Sequence, residues 1–184
     1  MGHLTFITGG ARSGKSTFGE ELAADSRGPV AYIATAVPFD DGMKDRIRHH
    51  QARRPEDWTT IERYRDFEKL PEDPGFEAAS TILLDCLTVL ITNEMMDYDL
   101  DFDTIPAEKV WDIEKEIAAQ VHTALDACVD KNTIVVANEV GLGLVPAYRM
   151  GSFFRDIAGR INQKVAARAD AVYFCVSGIP MKIK

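Results

Sequence analysis

Runs of apolar, often β-branched residues recur at 3–8, 30–36, 81–86, 133–138 and 171–176. Each run is almost continuously apolar, which marks strands covered on both faces rather than one. Between them, 14–25, 41–54, 107–130 and 153–169 carry apolar positions at helical spacing, and Pro106 is placed to open the third of these. Strands alternating with helices predict an α/β fold, a mostly parallel sheet flanked by helices. Ser177-Gly178-Ile179-Pro180 interrupts the end of the chain, predicting a turn and a C-terminal antiparallel hairpin strand over 181–184. The stretch 94–106 breaks the regularity, with Glu94, Asp97, Asp99, Asp101 and Asp103 set among Met, Tyr, Leu and Phe. It reads as an acidic surface loop, since it lacks the turn glycine and closing glutamate of a calcium-binding EF-hand.

At 184 residues the chain is expected to form one domain, 1–184, with room for a single large core. Twenty-one Lys and Arg against 29 Asp and Glu give a net charge of −8, which disfavours a surface spread with nucleic acid. Cys86, Cys128 and Cys175 are odd in number and far apart, so neither a disulfide framework nor a zinc site is suggested. No apolar run approaches a membrane span, no charged-then-apolar leader opens the chain, and Phe6 stands where a myristoylation signal wants Ser or Thr. A cytoplasmic protein is expected.

Directly after the first apolar run comes Gly9-Gly10-Ala11-Arg12-Ser13-Gly14-Lys15-Ser16, which satisfies G-x-x-x-x-G-K-[ST] between a strand and a helix. Glycines let the backbone curl so that its N–H groups surround phosphates, and the following helix presents its positive end to them. In that pattern Lys15 neutralises the β/γ oxygens and Ser16 ligates Mg²⁺. Such a cradle also needs a carboxylate at a neighbouring strand end, and Thr81-Ile82-Leu83-Leu84-Asp85 offers one, so Ser16 and Asp85 are the candidate metal ligands. Glu139 follows another apolar run and would either orient a water or hydroxyl or cap a loop.

Residues 44–54 read Lys-Asp-Arg-Ile-Arg-His-His-Gln-Ala-Arg-Arg, a basic concentration in an acidic protein. On a helix Arg46, His49, His50 and Arg53 share one face. That face is either a solvated basic surface or a phosphate-binding one, in which a neutral imidazole beside arginines could attack phosphorus and form a phosphoramidate. The residues alone do not choose between His49 and His50.

These blocks resemble the bifunctional adenosylcobinamide kinase / adenosylcobinamide-phosphate guanylyltransferase family of cobalamin biosynthesis, nearly end to end. The likeness rests on Thr8 through Ser16, Tyr32-Ile33-Ala34-Thr35-Ala36, and Arg46 through His50 with Arg54-Pro55 and Trp58. It continues in Leu84-Asp85-Cys86-Leu87-Thr88, Asn138-Glu139-Val140-Gly141-Leu142-Gly143, Phe154-Arg155-Asp156 and Val176 through Pro180. The resemblance implies a RecA-like P-loop domain and two reactions. A nucleoside triphosphate, ATP or GTP, phosphorylates adenosylcobinamide, with Lys15, Ser16 and Asp85 in the phosphate and Mg²⁺ roles. GTP then guanylylates His49, and GMP passes to the substrate phosphate. By the same carry-over Thr35, His50, Gln51, Arg53, Arg54 and Glu62 contact the guanine nucleotide. Gly42 stands where the family pattern has an acidic residue, so that residue's work either falls to Asp41 or is dispensable.

A large corrinoid substrate on a small domain calls for a broad cleft of the kind formed between subunits, so a homo-oligomer is expected; the resemblance makes it a trimer. Other P-loop readings fit less well. A regulatory GTPase lacks its N-K-x-D here, and a nucleic-acid motor would want an extended basic surface. A small-molecule kinase without nucleotidyl transfer needs only residues 9–16 and Asp85.

Overall fold

The computed structural model describes residues 2–37, 54–143 and 145–184. Among them seven strands form one sheet: β1 (Leu4–Gly9), β2 (Val30–Ala34), β3 (Thr59–Glu62), β4 (Thr81–Asp85), β5 (Asn132–Asn138), β6 (Ala171–Val176) and β7 (Ile179–Lys182). Their spatial order is β3-β2-β4-β5-β1-β6-β7, and every pairing is parallel except the antiparallel β6–β7 edge. The expected α/β architecture with a closing antiparallel strand is therefore present.

Strand parity divides the core in two. Ile7, Tyr32, Leu83 and Val136 face one side, beneath helix α1 (Lys15–Ala24). Phe6, Ile33, Ile82, Leu84 and Val135 face the other, where they meet the remaining helices. On that side α2 (Pro74–Ala78) follows a 3₁₀ turn over Phe67–Glu72, and α3 (Leu87–Met96), α4 (Ala107–Ala127) and α5 (Arg149–Arg168) complete the layer. The short α2 starts where Asp73 Oδ1 accepts from the N–H groups of Gly75 and Phe76 at 2.8 and 3.3 Å.

Helices α4 and α5 run parallel, tied by three arginines. Arg149 donates to the carbonyls of Asp103 and Ile105, Arg160 forms a two-pronged pair with Glu114 at 2.8 and 2.7 Å, and Arg168 reaches Asp126 at 2.7 Å. Glu114 is 6% exposed, so both oxygens being met by Arg160 offsets the cost of burying its charge.

Several sequence expectations change. The acidic stretch read as a loop from residue 94 begins as helix: Glu94, Met95 and Met96 are the last residues of α3, and Phe102 and Ile105 of the remaining loop are buried. Helix α5 starts a turn before the expected 153 because Arg149, Met150 and Phe153 pack or bond along that first turn. The last strand spans Ile179–Lys182 instead of 181–184, since Ser177 and Gly178 both hold positive φ (51° and 84°) and close the hairpin in two residues. The helix expected over 41–54 falls outside the described residues except for Arg54, which stands in a bend.

Candidate active site at the carboxyl edge of the sheet

Strand β1 ends at Gly9, and the chain turns through residues 10–14 into α1. A Cβ on Gly9 would lie 2.6 Å from Cys175 O and 2.6 Å from Ser13 Oγ, so the loop closes this tightly because the residue has none. Gly14 caps α1 at φ 92°, without a side-chain cap and with no acidic residue in the first turn. The helix therefore begins with its N–H groups unclaimed by its own cap, an arrangement that suits an anion. Gly10 and Ala11 continue the loop, and Arg12, exposed at φ 56°, forms its outer side. Lys15 is 8% exposed and folds back so that Nζ donates to Gly10 O at 3.1 Å.

The β6–β7 turn braces this loop from behind. Gly178 N donates to Ser13 O at 2.9 Å, and a Cβ on Gly14 would lie 2.9 Å from Gly178 Cα.

Asp85 ends β4, two strands from β1 with β5 between. Its parity matches Leu83, which turns the carboxylate toward the α1 side. There Ser16 Oγ donates to Oδ1 at 3.4 Å and Tyr32 OH donates to Oδ2 at 3.0 Å. The structure thus brings Ser16 of the loop and Asp85 together, the pair singled out from sequence. Two hard oxygen donors converging at the start of a phosphate-cradling helix fit a magnesium ion, which takes one or two protein oxygens and completes its shell with water and phosphate. Burial first, then the Asp85 charge, pushes the Tyr32 hydroxyl far above its usual range, so it remains a donor. Burial and the same charge push the Cys86 thiol up to about 12, leaving it neutral near pH 7 and a poor nucleophile.

Beneath this edge lies a set of buried polar side chains. Thr35, fully buried, accepts from Cys86 N at 2.9 Å and donates to Cys86 O at 2.8 Å, while its own carbonyl accepts from Asn93 Nδ2 at 2.7 Å. The Thr35 side chain is committed to the backbone that follows Asp85. Thr88 Oγ1 accepts from Asn138 N at 2.6 Å, Asn162 Nδ2 donates to Asn138 O at 3.1 Å, and Glu139 N donates to Gly9 O at 2.9 Å. The ends of β1, β4 and β5 are pinned in this way. The Glu139 carboxylate takes the loop-capping alternative, with Oε1 accepting from Gly141 N at 2.9 Å.

Of the residues assigned to the guanine nucleotide, His50, Gln51 and Arg53 lie outside the described residues, as does the nucleophile candidate His49. Arg54 is described: its guanidinium sits 3.3 Å from the Tyr32 ring centroid, and Nη1 donates to Thr60 at 3.4 Å. Glu62 is exposed at the carboxyl end of β3, on the same edge of the sheet.

Tyr32, Thr88, Asn93 and Asn162 were not among the site residues read from sequence. Their signal was present, because each is a polar group in an otherwise apolar strand or helix face, the pattern of a buried hydrogen-bonding network.

An apolar cleft of about 330 Å³ lies beside this edge, lined by Thr92, Met95, Tyr148, Met150, Gly151 and Phe154. Thr92 lies five residues beyond Leu87, the first residue of α3, roughly 8 Å along the helix at the helical rise. Tyr148 of this lining is 76% exposed.

A Gly-rich loop between a strand and a helix at the carboxyl ends of parallel strands, with a serine–aspartate pair beside it, defines a P-loop nucleotide-binding protein. Comparison with known proteins narrows the class. Residues 5–183 match the family model described as cobinamide kinase / cobinamide phosphate guanyltransferase, and the chain belongs to that family. It is 44% identical over 186 residues to the bifunctional adenosylcobalamin biosynthesis protein CobU of Escherichia coli (strain K12), covering 98% of this chain and 99% of that protein. It is 38% identical over 178 residues to the bifunctional adenosylcobalamin biosynthesis protein CobP of Pseudomonas aeruginosa PAO1, covering 97% and 95%. Among solved structures, an ATPase from the type III secretion system of pathogenic bacteria matches with a TM-score of 0.51 at 10% identity. That match covers 95% of this chain but about half (51%) of the ATPase chain, and it speaks to fold alone.

Proposed function

We propose that residues 1–184 act as one bifunctional domain that phosphorylates adenosylcobinamide and then converts the product to adenosylcobinamide-GDP. The observation that carries this reading is the Ser16–Asp85 pair set against the P-loop, in a chain whose family is named for both reactions.

In the kinase step, the hydroxyl of the aminopropanol arm attacks the γ-phosphorus of ATP or GTP. The bond to the β–γ bridging oxygen breaks, the nucleoside diphosphate leaves, and the hydroxyl proton passes to solvent. The loop backbone and the start of α1 hold the triphosphate, and Lys15 swings from Gly10 O to the β/γ oxygens. Ser16 and Asp85 hold Mg²⁺, which when bound neutralises charge on the phosphates.

In the second step an imidazole nitrogen of His49 attacks the α-phosphorus of GTP, and pyrophosphate leaves. A phosphate oxygen of the substrate then attacks that phosphorus, the P–N bond breaks, and the histidine is restored. Arg54 and Glu62, near the Tyr32 end of the same edge, contact the guanine nucleotide with His50, Gln51 and Arg53; Thr35 contributes by supporting the backbone after Asp85.

The apolar cleft along α3 and α5 takes a hydrocarbon edge of the corrinoid. The enzyme works in the cytoplasm as a homo-oligomer, a trimer by family resemblance. Among the described residues no helix is long and apolar enough to cross a membrane.

The test is incubation with GTP labelled separately at the α and γ positions. The proposal expects α label retained on the protein through an acid-labile, base-stable bond, and its loss in His49→Asn with kinase activity preserved. Absence of the adduct in wild-type protein that still phosphorylates cobinamide would leave a small-molecule kinase. An adduct that persists in His49→Asn but vanishes in His50→Asn would move the nucleophile to His50.

A further inference from the structure

We infer that Tyr32 is a positioning residue for the phosphate site: its hydroxyl fixes one oxygen of Asp85 so that the other faces Ser16, and its ring seats Arg54. The inference rests on the metal-holding role proposed above for Ser16 and Asp85.

Parity and register place Tyr32 for this task. It lies on β2 opposite Leu83 of β4, and Asp85 is two residues further along β4 on the same face. That diagonal is within reach of a long aromatic side chain. Tyr32 is 3% exposed, so its hydroxyl has little bulk water to turn to and takes a protein partner.

Two side chains meet the Asp85 carboxylate from different sides. Tyr32 OH meets Oδ2 at 3.0 Å, a normal hydrogen bond, whereas Ser16 Oγ stands 3.4 Å from Oδ1, beyond the usual O–H···O range. The bond from Tyr32 to Oδ2 orients the carboxylate. The serine contact to Oδ1 is long enough to open and admit a cation between Ser16 and Asp85. A carboxylate free to rotate would lose that preset direction and pay for it on metal binding, which is how supporting hydrogen bonds tune ligand sites.

The ring face has its own occupant. The Arg54 guanidinium at 3.3 Å from the centroid stacks on it, and Arg54 Nη1 reaches Thr60 at the start of β3. Tyr32 thereby sits between the metal-holding carboxylate and an arginine assigned to the guanine nucleotide, and one side chain sets the spacing of both.

Tyr32→Phe separates the two functions, since it keeps the ring under Arg54 and deletes the hydroxyl. The probe is Mn²⁺, followed by electron paramagnetic resonance in the presence of a non-hydrolysable ATP analogue, beside analogue binding without metal. The expected result is an Mn²⁺ affinity weakened about tenfold or more, as for loss of a hydrogen bond to a charged group, with metal-free analogue affinity within about twofold of wild type. In Asp85→Asn the same deletion should add nothing, because Tyr32 acts through that carboxylate.

Unchanged Mn²⁺ affinity in Tyr32→Phe, or full additivity with Asp85→Asn, overturns the inference while leaving the proposed reactions standing. Wild-type protein that binds the analogue but no Mn²⁺ overturns the metal role and the inference together. Should Tyr32→Phe not fold, Arg54→Met tests the seat from its other face. There a two- to fivefold weaker Mn²⁺ affinity is expected, and none overturns the coupling.

Discussion

Gly14 and Gly159 should respond in opposite directions to the same substitution. Gly14 holds φ 92°, and a methyl group there would meet Gly178 Cα at 2.9 Å, with Gly178 N at 3.6 Å. Those are backbone atoms, and Gly178 N is bound to Ser13 O at 2.9 Å, so they cannot rotate aside as a side-chain tip would. The left-handed conformation costs an alanine about 1–2 kcal/mol, and forcing a methyl into a closed space about 1–3 kcal/mol more. Restricting the unfolded chain returns roughly 0.4–1 kcal/mol. The net for Gly14→Ala is a loss of about 1–4.6 kcal/mol, a fall in Tm of roughly 2–18 °C for a chain of this size. Gly159 sits inside α5 with nothing within 4 Å of an added Cβ. Gly159→Ala should gain about 0.5–1 kcal/mol from helix propensity. Urea denaturation followed by circular dichroism measures both, and calorimetric titration with an ATP analogue should show that Gly14→Ala also loses nucleotide affinity as loop and turn are pushed apart. Gly14→Ala within 0.5 kcal/mol of wild type, or the two variants shifting the same way, would refute the close-packing argument.

Glu94 lines a polar recess with Arg65, Asp66, Asp97, Tyr98 and Gln120, and its carboxyl is raised from 4.5 to about 6, chiefly by burial, with Arg65 opposing and Asp97, Asp66 and Glu116 adding to the rise. A raised carboxyl favours the fold while protonated, so this contribution is full below about 4.5 and lost as pH rises through about 6. After discounting for its half-exposed setting it amounts to about 1 kcal/mol, and Glu94→Gln should flatten that part of the urea midpoint's pH profile and be the more stable form at pH 7–8. Tyr148 is 76% exposed, so Tyr148→Ala should leave the fold intact while raising the KM for adenosylcobinamide about tenfold and leaving that for ATP unchanged. Steady-state kinetics varying each substrate in turn would show an unaltered corrinoid KM if the cleft is not used.

The strands that sequence made legible are those buried on both faces, β1, β2, β4, β5 and β6, because continuous apolarity is a local signal. Strand β3 escaped it. Thr59-Thr60-Ile61-Glu62 has one buried residue, and it is a strand because β2 offers it a parallel edge, a partner no local window contains. Helix α3 escaped for the opposite reason: Leu87 to Ile91 is apolar enough to read as the tail of β4, and the buried Thr88 and Asn93 that serve the Asn138 and Thr35 backbones look like interruptions. At the site, the Gly-rich loop was legible because its motif has a fixed local spacing, and Asp85 stood out as the carboxylate closing an apolar strand. Tyr32 was not, since its role exists only once β2 lies beside β4 in register.

The sheet order also explains how a loop on β1 reaches a carboxylate on β4. Strand β5 lies between them, so the two strand ends are separated by about twice the 4.8 Å strand spacing. Helix α1 spans that gap by crossing the sheet. Gly19 marks the crossing, for a Cβ there would stand 3.1 Å from Val136, 3.3 Å from Leu83 and 3.6 Å from Ile7, one contact on each of β5, β4 and β1. The bare glycine lets the helix settle low over all three strands, and Ser16, one turn earlier, is thereby brought to Asp85. The distance between the Gly-rich loop and the Asp85 carboxylate is thus set by the packing of one helix on three strands. The serine contact, at 3.4 Å, is the loosest link in that arrangement, and Tyr32, which approaches from the β2 side, holds the carboxylate independently of the helix.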